Sequence, residues 1–554
     1  MEKRIFLAVL ISIAFLWAWG ALVPRFFPEL APKPAEPATQ TATQRGASPA
    51  VPSTVSATPQ KAIPPPLAPA ASATQVPVAA VQDSTARLSV VETPQYIARF
   101  SNRGAQLVSF QLKEYDEEDG KPVDLVKTRP SGSTDFPFAV ETANGRLTRL
   151  ANSALYVVDE KKEGEATILQ YRYVSPEGSE VRKTFRLGPS YLFDFDVSIT
   201  PPVAYRVVVG PGIRTIDPNS KDTQFLTTGN GVVQIDDSLD VFAREKAKAF
   251  EIFEEPVEYL GIEDNYFLVA VKPQVASNAL FRSIRIPFGT NPEDVRKEIF
   301  AGINSLDGRV RGSAFFGPKQ ADVLEAHGLE RTLKFGWFGL IGRFLLTALI
   351  WIYGFVGNYG WAIVLLTVVI KIILYPLQHK AIVSMKKMQK VQPKVNALKD
   401  KYKKAKTDAE QRQKMNMEMM KLYQQEGINP MSGCLPILLQ LPILWAFYGL
   451  LSNAIELRGA EFLGWINDLS APDPYYLTPI LMTATMFIQQ WMTPTTLDPV
   501  QRRIFMVLPL VFGFIFKDFP SGLVLYWLVQ NVLTIIQQAI MNHYWKEHPL
   551  EVSK

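Results

Sequence analysis

The stretch Trp361-Ala-Ile-Val-Leu-Leu-Thr-Val-Val-Ile-Lys371-Ile-Ile-Leu-Tyr-Pro-Leu377 decides the fold, because it is an apolar segment of membrane-spanning character that contains one lysine. A charge near the centre of a span costs about 2.5 to 3.5 kcal/mol on insertion scales, so it faces a bundle interior or water and marks a candidate functional site. Alternatively, the lysine snorkels to the nearer interface, roughly 9 Å away. Thr367 lies four residues earlier, on the same helix face as Lys371.

Other apolar segments surround this one, and the charges between them set the topology. The apolar segments are 5–23, 335–356, 435–451, 476–492, 504–516 and 522–541. The loop 379–430 has thirteen Lys or Arg against five Asp or Glu, which predicts a cytoplasmic location. If the chain starts inside with Lys3 and Arg4, only one further span can precede that loop. The sequence therefore predicts six spans, with both termini cytoplasmic and 335–356 as an interfacial amphipathic helix.

The region before residue 335 has a different composition. Residues 1–27 are predicted to form an uncleaved membrane anchor, although a cleavable signal peptide is the alternative. Residues 28–84 are rich in Pro, Ala and Thr and are predicted to be a disordered linker. In residues 85–333 the apolar period changes to two: Phe193, Phe195, Val197 and Ile199 alternate with polar residues. This pattern, with similar runs at 108–112, 205–209, 266–271 and 282–288, predicts an all-β sandwich closed by a helix at 320–333.

The remaining boundaries follow from these segments. Residues 334–357 are the interfacial helix, 358–378 the second span, and 379–430 a basic cytoplasmic helical hairpin. Residues 431–545 hold spans three to six, and 546–554 form a cytoplasmic tail. The fold class is thus a polytopic α-helical membrane protein with an all-β extramembrane domain. The hairpin contains Met385, Met388, Met415 and Met419, which either pack its two helices together or bind varied apolar partners.

Polar side chains recur in the later spans at helical spacing. Tyr526, Gln530 and Thr534 follow one another at intervals of four in the last span, and Trp527 with Asn531 forms the adjacent row. Gln440 adds a polar group in the third span. In lipid such groups need partners or water, so they form either interhelical hydrogen bonds or, together with Lys371, a hydrated groove.

The sequence contains no pattern that predicts catalysis. It has one cysteine, Cys434, and four histidines, which lie outside the predicted spans. Neither a zinc-protease helix, a nucleophile elbow nor a phosphate loop occurs, so we expect no enzyme activity, metal or cofactor. The net charge of +5 is modest and predicts no specific DNA binding.

Several motifs, in their order along the chain, resemble the YidC membrane protein insertases. They are Thr367-x-x-x-Lys371-x-x-x-Tyr375-Pro376-Leu377, Asn429-Pro430, Gly433-Cys434-Leu435-Pro436, Leu441-Pro442, Asp473-Pro474-Tyr475-Tyr476 and Phe519-Pro520-Ser521-Gly522-Leu523-Val524-Leu525-Tyr526-Trp527. The resemblance is strong over about residues 330–545. The linker and the β domain occupy the same positions along the chain as in the Gram-negative members of the family.

The resemblance implies a bacterial inner-membrane insertase and chaperone with a periplasmic supersandwich domain. It also implies a groove that opens to the cytoplasm and the lipid and receives nascent membrane proteins, alone or with the Sec translocon. Most members have arginine where this chain has Lys371. The predicted groove residues are Lys371, Thr367, Gln440, Tyr526, Trp527, Gln530 and Asn531, and a substrate path would pass Cys434, Pro436, Phe505 and Met506. The basic hairpin would meet the ribosome or membrane lipids.

Two other classes of protein fit the residues alone. An ion-coupled transporter would use Lys371 as its coupling group, but acidic partners within the spans are missing from the sequence. An envelope scaffold would use its β domain for binding and its spans only as an anchor.

Overall fold

A computed structural model describes most of the chain beyond residue 80. The described residues are 81–117, 120–128, 133–214, 229–275, 277–287, 295–305, 308–333, 338–402, 408–427, 435–493 and 499–547. The predicted anchor 1–27, most of the predicted linker 28–84 and nearly all of the tail 546–554 lie outside them.

The first part of the described chain is built from antiparallel strands. The strands are β1 (Leu88–Glu92), β2 (Tyr96–Ser101), β3 (Gln106–Asp116), β4 (Pro122–Asp124), β5 (Ala139–Thr142), β6 (Val157–Glu163), β7 (Ala166–Val174), β8 (Glu180–Leu187), β9 (Leu192–Thr200), β10 (Tyr205–Val209), β11 (Asn230–Ile235), β12 (Ser238–Phe242), β13 (Phe250–Phe253), β14 (Tyr259–Glu263), β15 (Phe267–Pro273), β16 (Ala279–Pro287), β17 (Val295–Ser305) and β18 (Arg309–Pro318). They form three sheets, ordered β1-β2-β3-β4, β13-β16-β17-β10-β5 and β12-β11-β14-β15-β18-β9-β8-β7-β6.

Helices make up most of the second part. They are α1 (Gly145–Ser153, within the β-rich part), α2 (Ala321–Ala326), α3 (Gly339–Val356), α4 (Tyr359–Lys401), α5 (Ala409–Gln425), α6 (Leu435–Asn453), α7 (Leu477–Met492), α8 (Pro499–Phe516) and α9 (Ser521–Glu547).

The β-rich part confirms the alternation predicted from the sequence. In β9, Phe193, Phe195, Val197 and Ile199 are buried, while Asp194 points outward. Val108 in β3 differs, since it is only half-buried. At this point β3 has one residue more than β2, because Phe100 pairs with Leu107 and the preceding Arg99 pairs with Ser109. Such a bulge turns the extra side chain out of the regular alternation.

One apolar core is shared by residues from all three sheets. Phe110 of β3 lies 6.1 Å from Phe193 of β9, measured between ring centroids. Phe138 packs edge-on against Phe185 at 4.9 Å. Ile303 of the five-stranded sheet belongs to the same buried cluster. The buried faces of the sheets therefore exclude water from one common core.

A lysine is buried inside this core. Nζ of Lys183 donates hydrogen bonds to the backbone oxygens of Gly104 at 2.6 Å and Phe138 at 2.7 Å. The side chain lies 5.7 Å from the centre of the Tyr156 ring. Burial lowers the pKa of Lys183 to about 7. The lysine thus ties two connections together at the cost of desolvating an amine.

The helical part contains segments of membrane-spanning length. Among the described residues, three helices are long and apolar enough to cross a membrane: Gly339–Val356, Tyr359–Lys401 and Ser521–Trp545. The first of these, α3, is the predicted interfacial helix, and it exposes Phe344 and Phe355. The predicted fifth span, 504–516, lies within the 18-residue helix α8, whose apolar part remains Phe505–Phe516.

The second span and the first hairpin helix form one continuous helix. The sequence places a boundary at 378–379, where the apolar run ends and the basic segment begins. The structure instead has α4 unbroken over 43 residues. The second hairpin helix, α5, starts after Asp408, whose side chain accepts hydrogen bonds from the backbone N–H groups of Glu410 and Gln411.

A buried ionic network joins the β-rich part to the connection between α6 and α7. Nε of Arg214 donates to Asp264 at 2.6 Å, and its Nη1 donates to Glu117 at 2.9 Å. The same carboxylate of Glu117 accepts from Nη2 of Arg458 at 3.1 Å. Both guanidinium groups lie 5.3 Å from the centre of the Phe267 ring. We call these five residues the junction network.

Apolar and backbone contacts support the junction network. Ile455, three residues before Arg458, is part of the β-domain core although it follows helix α6. Nδ2 of Asn265 donates to the backbone oxygen of Ser452 at 2.8 Å. Packing and hydrogen bonds therefore reinforce the ionic contacts between the β-rich part and the end of α6.

We predict that Arg214→Met destabilises the protein by about 3 to 5 kcal/mol, because the buried carboxylate of Asp264 loses its cation. The measurement is thermal unfolding of the full chain in detergent. Arg309→Met is the matched control, since Arg309 pairs with Asp196 at the surface with 49% of its side chain exposed, and should cost under about 1 kcal/mol. Equal effects of the two variants would contradict the prediction.

We also predict a pH dependence of stability that originates at Lys183. Its pKa in the folded chain, about 7, is below the ordinary value of 10.5. Unfolding therefore takes up a proton between these values, so stability rises with pH from about 7 to 10.5 and does not respond to this group below 7. Lys183→Met should remove this rise, whereas Lys162→Met, at an exposed position, should keep it. Unfolding curves at several pH values would measure the difference, and the same rise in Lys183→Met would refute the assignment.

Candidate functional site

Lys371 lies on the inward side of α4. The residue is 8% exposed, whereas the next two residues, Ile372 and Ile373, are each 66% exposed. Its Nζ donates to Oγ1 of Thr534 on α9 at 2.8 Å. The ammonium is thus directed across to a second helix, and the apolar neighbours on α4 face outward.

The hydrogen bonds continue from Thr534 along α9. Thr534 Oγ1 donates to the backbone oxygen of Gln530 at 2.7 Å. Nε2 of Gln530 donates to Oε1 of Gln440 on α6 at 3.2 Å, and Nε2 of Gln440 donates to the hydroxyl of Tyr526. We call these five residues, from Lys371 to Tyr526, the polar row. The row connects three helices, and the spacing of four residues places its α9 members on one face.

An aromatic contact closes one end of the polar row. The ring of Tyr526 stacks on Phe447 of α6, with centroids 4.2 Å apart, and both side chains are almost fully buried. The row therefore runs from a dry end at Tyr526 towards Lys371 and Thr534.

Two predicted groove residues make other contacts. Thr367 is fully buried, and its hydroxyl donates to the backbone oxygen of Ile363 at 2.6 Å. Trp527 packs against Phe512 at 6.0 Å and Phe516 at 4.9 Å. Thr367 thus satisfies its hydroxyl within its own helix, and Trp527 joins α9 to α8.

Asn531 belongs to a second polar contact, between α9 and α7. Its Nδ2 donates to Oγ1 of Thr485 at 3.3 Å. About two turns later along α9, Nε2 of Gln538 donates to Oγ1 of Thr493 at 3.0 Å. These bonds correspond to the interhelical alternative considered for polar residues in the spans.

Sequence reasoning missed two glutamines of α9, Gln537 and Gln538. Both are buried. In the described part of the chain, Oε1 and Nε2 of Gln537 have no hydrogen-bond partner, and the same is true of Oε1 of Gln530 and Oε1 of Gln538. Buried amides of this kind need partners from water or from a bound chain. The continued spacing 530, 534, 538 was the available signal.

The predicted substrate path is described only in part. Phe505 is 45% exposed and Met506 is half-buried on α8, in a helix whose Val507, Leu510 and Phe514 are also exposed. Cys434 lies outside the described residues, and so does the side chain of Pro436. Helix α8 therefore offers one broad apolar surface.

The hairpin forms a separate compact unit, 387–430. Met388 and Met419 pack against the buried pair Val391 and Val395, which joins the end of α4 to α5. Met415 is half-buried, as is Met385 just before this unit. Met417 and Met420 are about half exposed and border an open surface cavity. Methionines thus serve both in packing and at the surface of the hairpin.

These features define a class: a helical membrane protein with a β-rich extramembrane domain and a cation held by polar groups between its helices. Residues 351–548 match the family model for the 60Kd inner membrane protein, and residues 88–348 match the model for the YidC periplasmic domain. The chain belongs to the YidC family of membrane protein insertases.

Two relatives and one solved structure are similar to this chain. The membrane protein insertase YidC of Geobacter metallireducens is 39% identical, with 98% of both chains covered. That of Geobacter sulfurreducens is 40% identical over 81% of this chain and 85% of the relative. The crystal structure of an active YidC insertase with its first transmembrane domain resolved is 19% identical, covers 84% of this chain and 94% of that one, and gives a TM-score of 0.35.

Proposed function

We propose that this chain is an inner-membrane insertase that moves apolar segments of nascent proteins from a hydrophilic groove into the lipid. The observation that carries the proposal is the polar row, which places Lys371 between helices and in contact with α9. Relatives named as insertases match over nearly the whole chain. That match includes the helices, which argues against a scaffold with the spans as a mere anchor.

The polar row suits the transfer of polar substrate segments. The buried amides of Gln530, Gln537 and Gln538 can bind water or a peptide backbone. A hydrated recess of this kind shortens the low-dielectric distance that a substrate's polar tail must cross. Lys371 attracts acidic residues in that tail, because opposite charges interact more strongly where water is partly excluded.

The apolar part of the substrate leaves by a different surface. We propose that it moves along α6 and α8, past Phe505 and Met506, where exposed apolar side chains line α8. Transfer of its own apolar surface from water to lipid drives this step, so no nucleotide and no catalytic residue take part.

The proposed arrangement in the cell follows from the charges. Six spans place both termini and the basic hairpin in the cytoplasm, the β-rich domain in the periplasm and α3 in the interface. The hairpin's lysines would then meet the ribosome or lipid headgroups, and the spans would act alone or beside the Sec translocon.

We predict that Lys371→Ala lowers insertion of single-span substrates with acidic tails by roughly fivefold or more, since a charge attraction of about 1 kcal/mol or above is lost. Lys371→Arg should preserve insertion because it keeps the charge. Insertion into reconstituted vesicles, scored by protease protection, measures the effect. Lys162→Ala, at an exposed position of β6, is the control. Normal insertion by Lys371→Ala would contradict the groove.

We predict that photo-crosslinking probes at Gln440 and Phe505 form adducts with a ribosome-stalled nascent membrane protein, because these positions lie on the polar row and at the proposed exit. A probe at Phe344, which is 71% exposed on α3, provides the lipid-facing control and should give few adducts. The readout is the size shift of the nascent chain. Adducts at Phe344 alone would exclude the proposed path.

A further inference from the structure

A second cavity lies well beyond Lys371 along α4. It has a volume of about 500 Å³ and is lined by Lys386, Trp491, Met492, Asn542 and Trp545. Lys386 follows Lys371 by fifteen residues, which is roughly 22 Å along a helix. The cavity is therefore separate from the polar row, although α4 and α9 contribute to both.

The cation in this cavity is held in a defined position. Nζ of Lys386 donates to Oδ1 of Asn542 at 3.2 Å and lies 5.9 Å from the centre of the Trp545 ring. An ammonium has three donors, so this single bond to Asn542 leaves capacity for an anion. Nδ2 of Asn542 is a further donor at the same place. The five described lining side chains include no carboxylate to neutralise the charge.

Helix lengths place this cavity at headgroup depth. From Tyr359 to Lys386 α4 rises about 40 Å, and from Ser521 to Trp545 α9 rises about 36 Å. The hydrocarbon core is about 30 Å thick, and the bilayer with headgroups about 40 to 45 Å. If Tyr359 and Ser521 lie at one membrane surface, Lys386 and Trp545 lie among the headgroups of the other.

The aromatic residues agree with that depth. Trp491, at the end of α7, is 71% exposed, and Tyr544, next to Trp545, is 57% exposed. Tryptophan and tyrosine favour the membrane interface because their rings combine an apolar body with a polar group. A lysine, an amide and two indole rings thus line a cavity that this placement of the helices puts at the level of the lipid phosphates.

We propose that this cavity binds the headgroup of an anionic phospholipid. Lys386 Nζ and Asn542 Nδ2 donate to the phosphate, while the rings of Trp491 and Trp545 contact the glycerol backbone and the first methylene groups. The acyl chains then run along the exposed apolar side chains of α9, such as Ile536 and Ile540. The site holds α4, α7 and α9 together through a lipid.

Native mass spectrometry of the purified full chain tests this site. The protein is titrated with phosphatidylglycerol or with phosphatidylcholine, and the retained lipid molecules are counted. We expect Lys386→Gln to lower retention of phosphatidylglycerol about fivefold, as expected for one lysine near a headgroup, and Lys386→Arg to retain it. Lys380→Gln, an exposed lysine on the same helix that does not line the cavity, should lower retention less than Lys386→Gln does. Unchanged thermal unfolding of the variants shows that they fold.

Three results would overturn the site. An equal loss in Lys380→Gln and Lys386→Gln would show general charge attraction only. Equal retention of phosphatidylcholine would show an apolar surface without recognition of an anion. Complete displacement by soluble glycerol phosphate would assign the cavity to a small anion and exclude a lipid. Insertion activity is not needed for any of these readouts, so they are independent of the proposed function.

Discussion

The ammonium of Lys371 lies among apolar helices because polar side chains of another helix solvate it. Inside a bilayer, water does not satisfy polar groups that face lipid, so each must find a partner in the protein or in a water-filled recess. Thr534 accepts from Lys371 and passes a hydrogen bond to Gln530, which bonds Gln440. This requirement fixes the faces that α4, α6 and α9 turn towards one another, and it leaves Ile372 and Ile373 on the outer face of α4.

The requirement that buried polar groups have partners also applies to the β-rich domain. Its sheets are half-buried, so alternate residues enter a shared core and the others meet water. Where this domain meets the helices, charges are again buried, and the junction network matches each with an opposite charge: Arg214 with Asp264, and Arg458 with Glu117. Ile455 inserts into the β-domain core beside this network. The connection between α6 and α7 is therefore held by both apolar and ionic contacts, which suits it to position the helices relative to the domain.

Sequence patterns predicted the parts that depend on local periodicity. The alternation in β9 and the interval of four in Tyr526, Gln530 and Thr534 gave the buried face of a strand and one face of a helix, and the structure has both. Sequence patterns failed where the conformation or contact of a residue depends on a neighbouring part of the structure. Val108 leaves the core because β2 lacks a matching residue, and α4 continues past the predicted boundary at 378–379. Thr367 shares a face with Lys371, yet its hydroxyl bonds its own helix at Ile363.

The sequence by itself determined the apolar segments, the one lysine within a predicted span and the two periods, because these follow from the spacing of residues along one chain. Only the tertiary structure decided which polar group reaches Lys371, that Gln537 is buried without a described hydrogen-bond partner, and that Arg214 and Arg458 share Glu117. These contacts join residues far apart in the chain, so they depend on how helices and strands pack, and packing follows from shape and burial over the whole molecule. A sequence pattern specifies which residues share one face of a helix or strand. Which residue they contact depends on a second helix or strand that lies at the right distance.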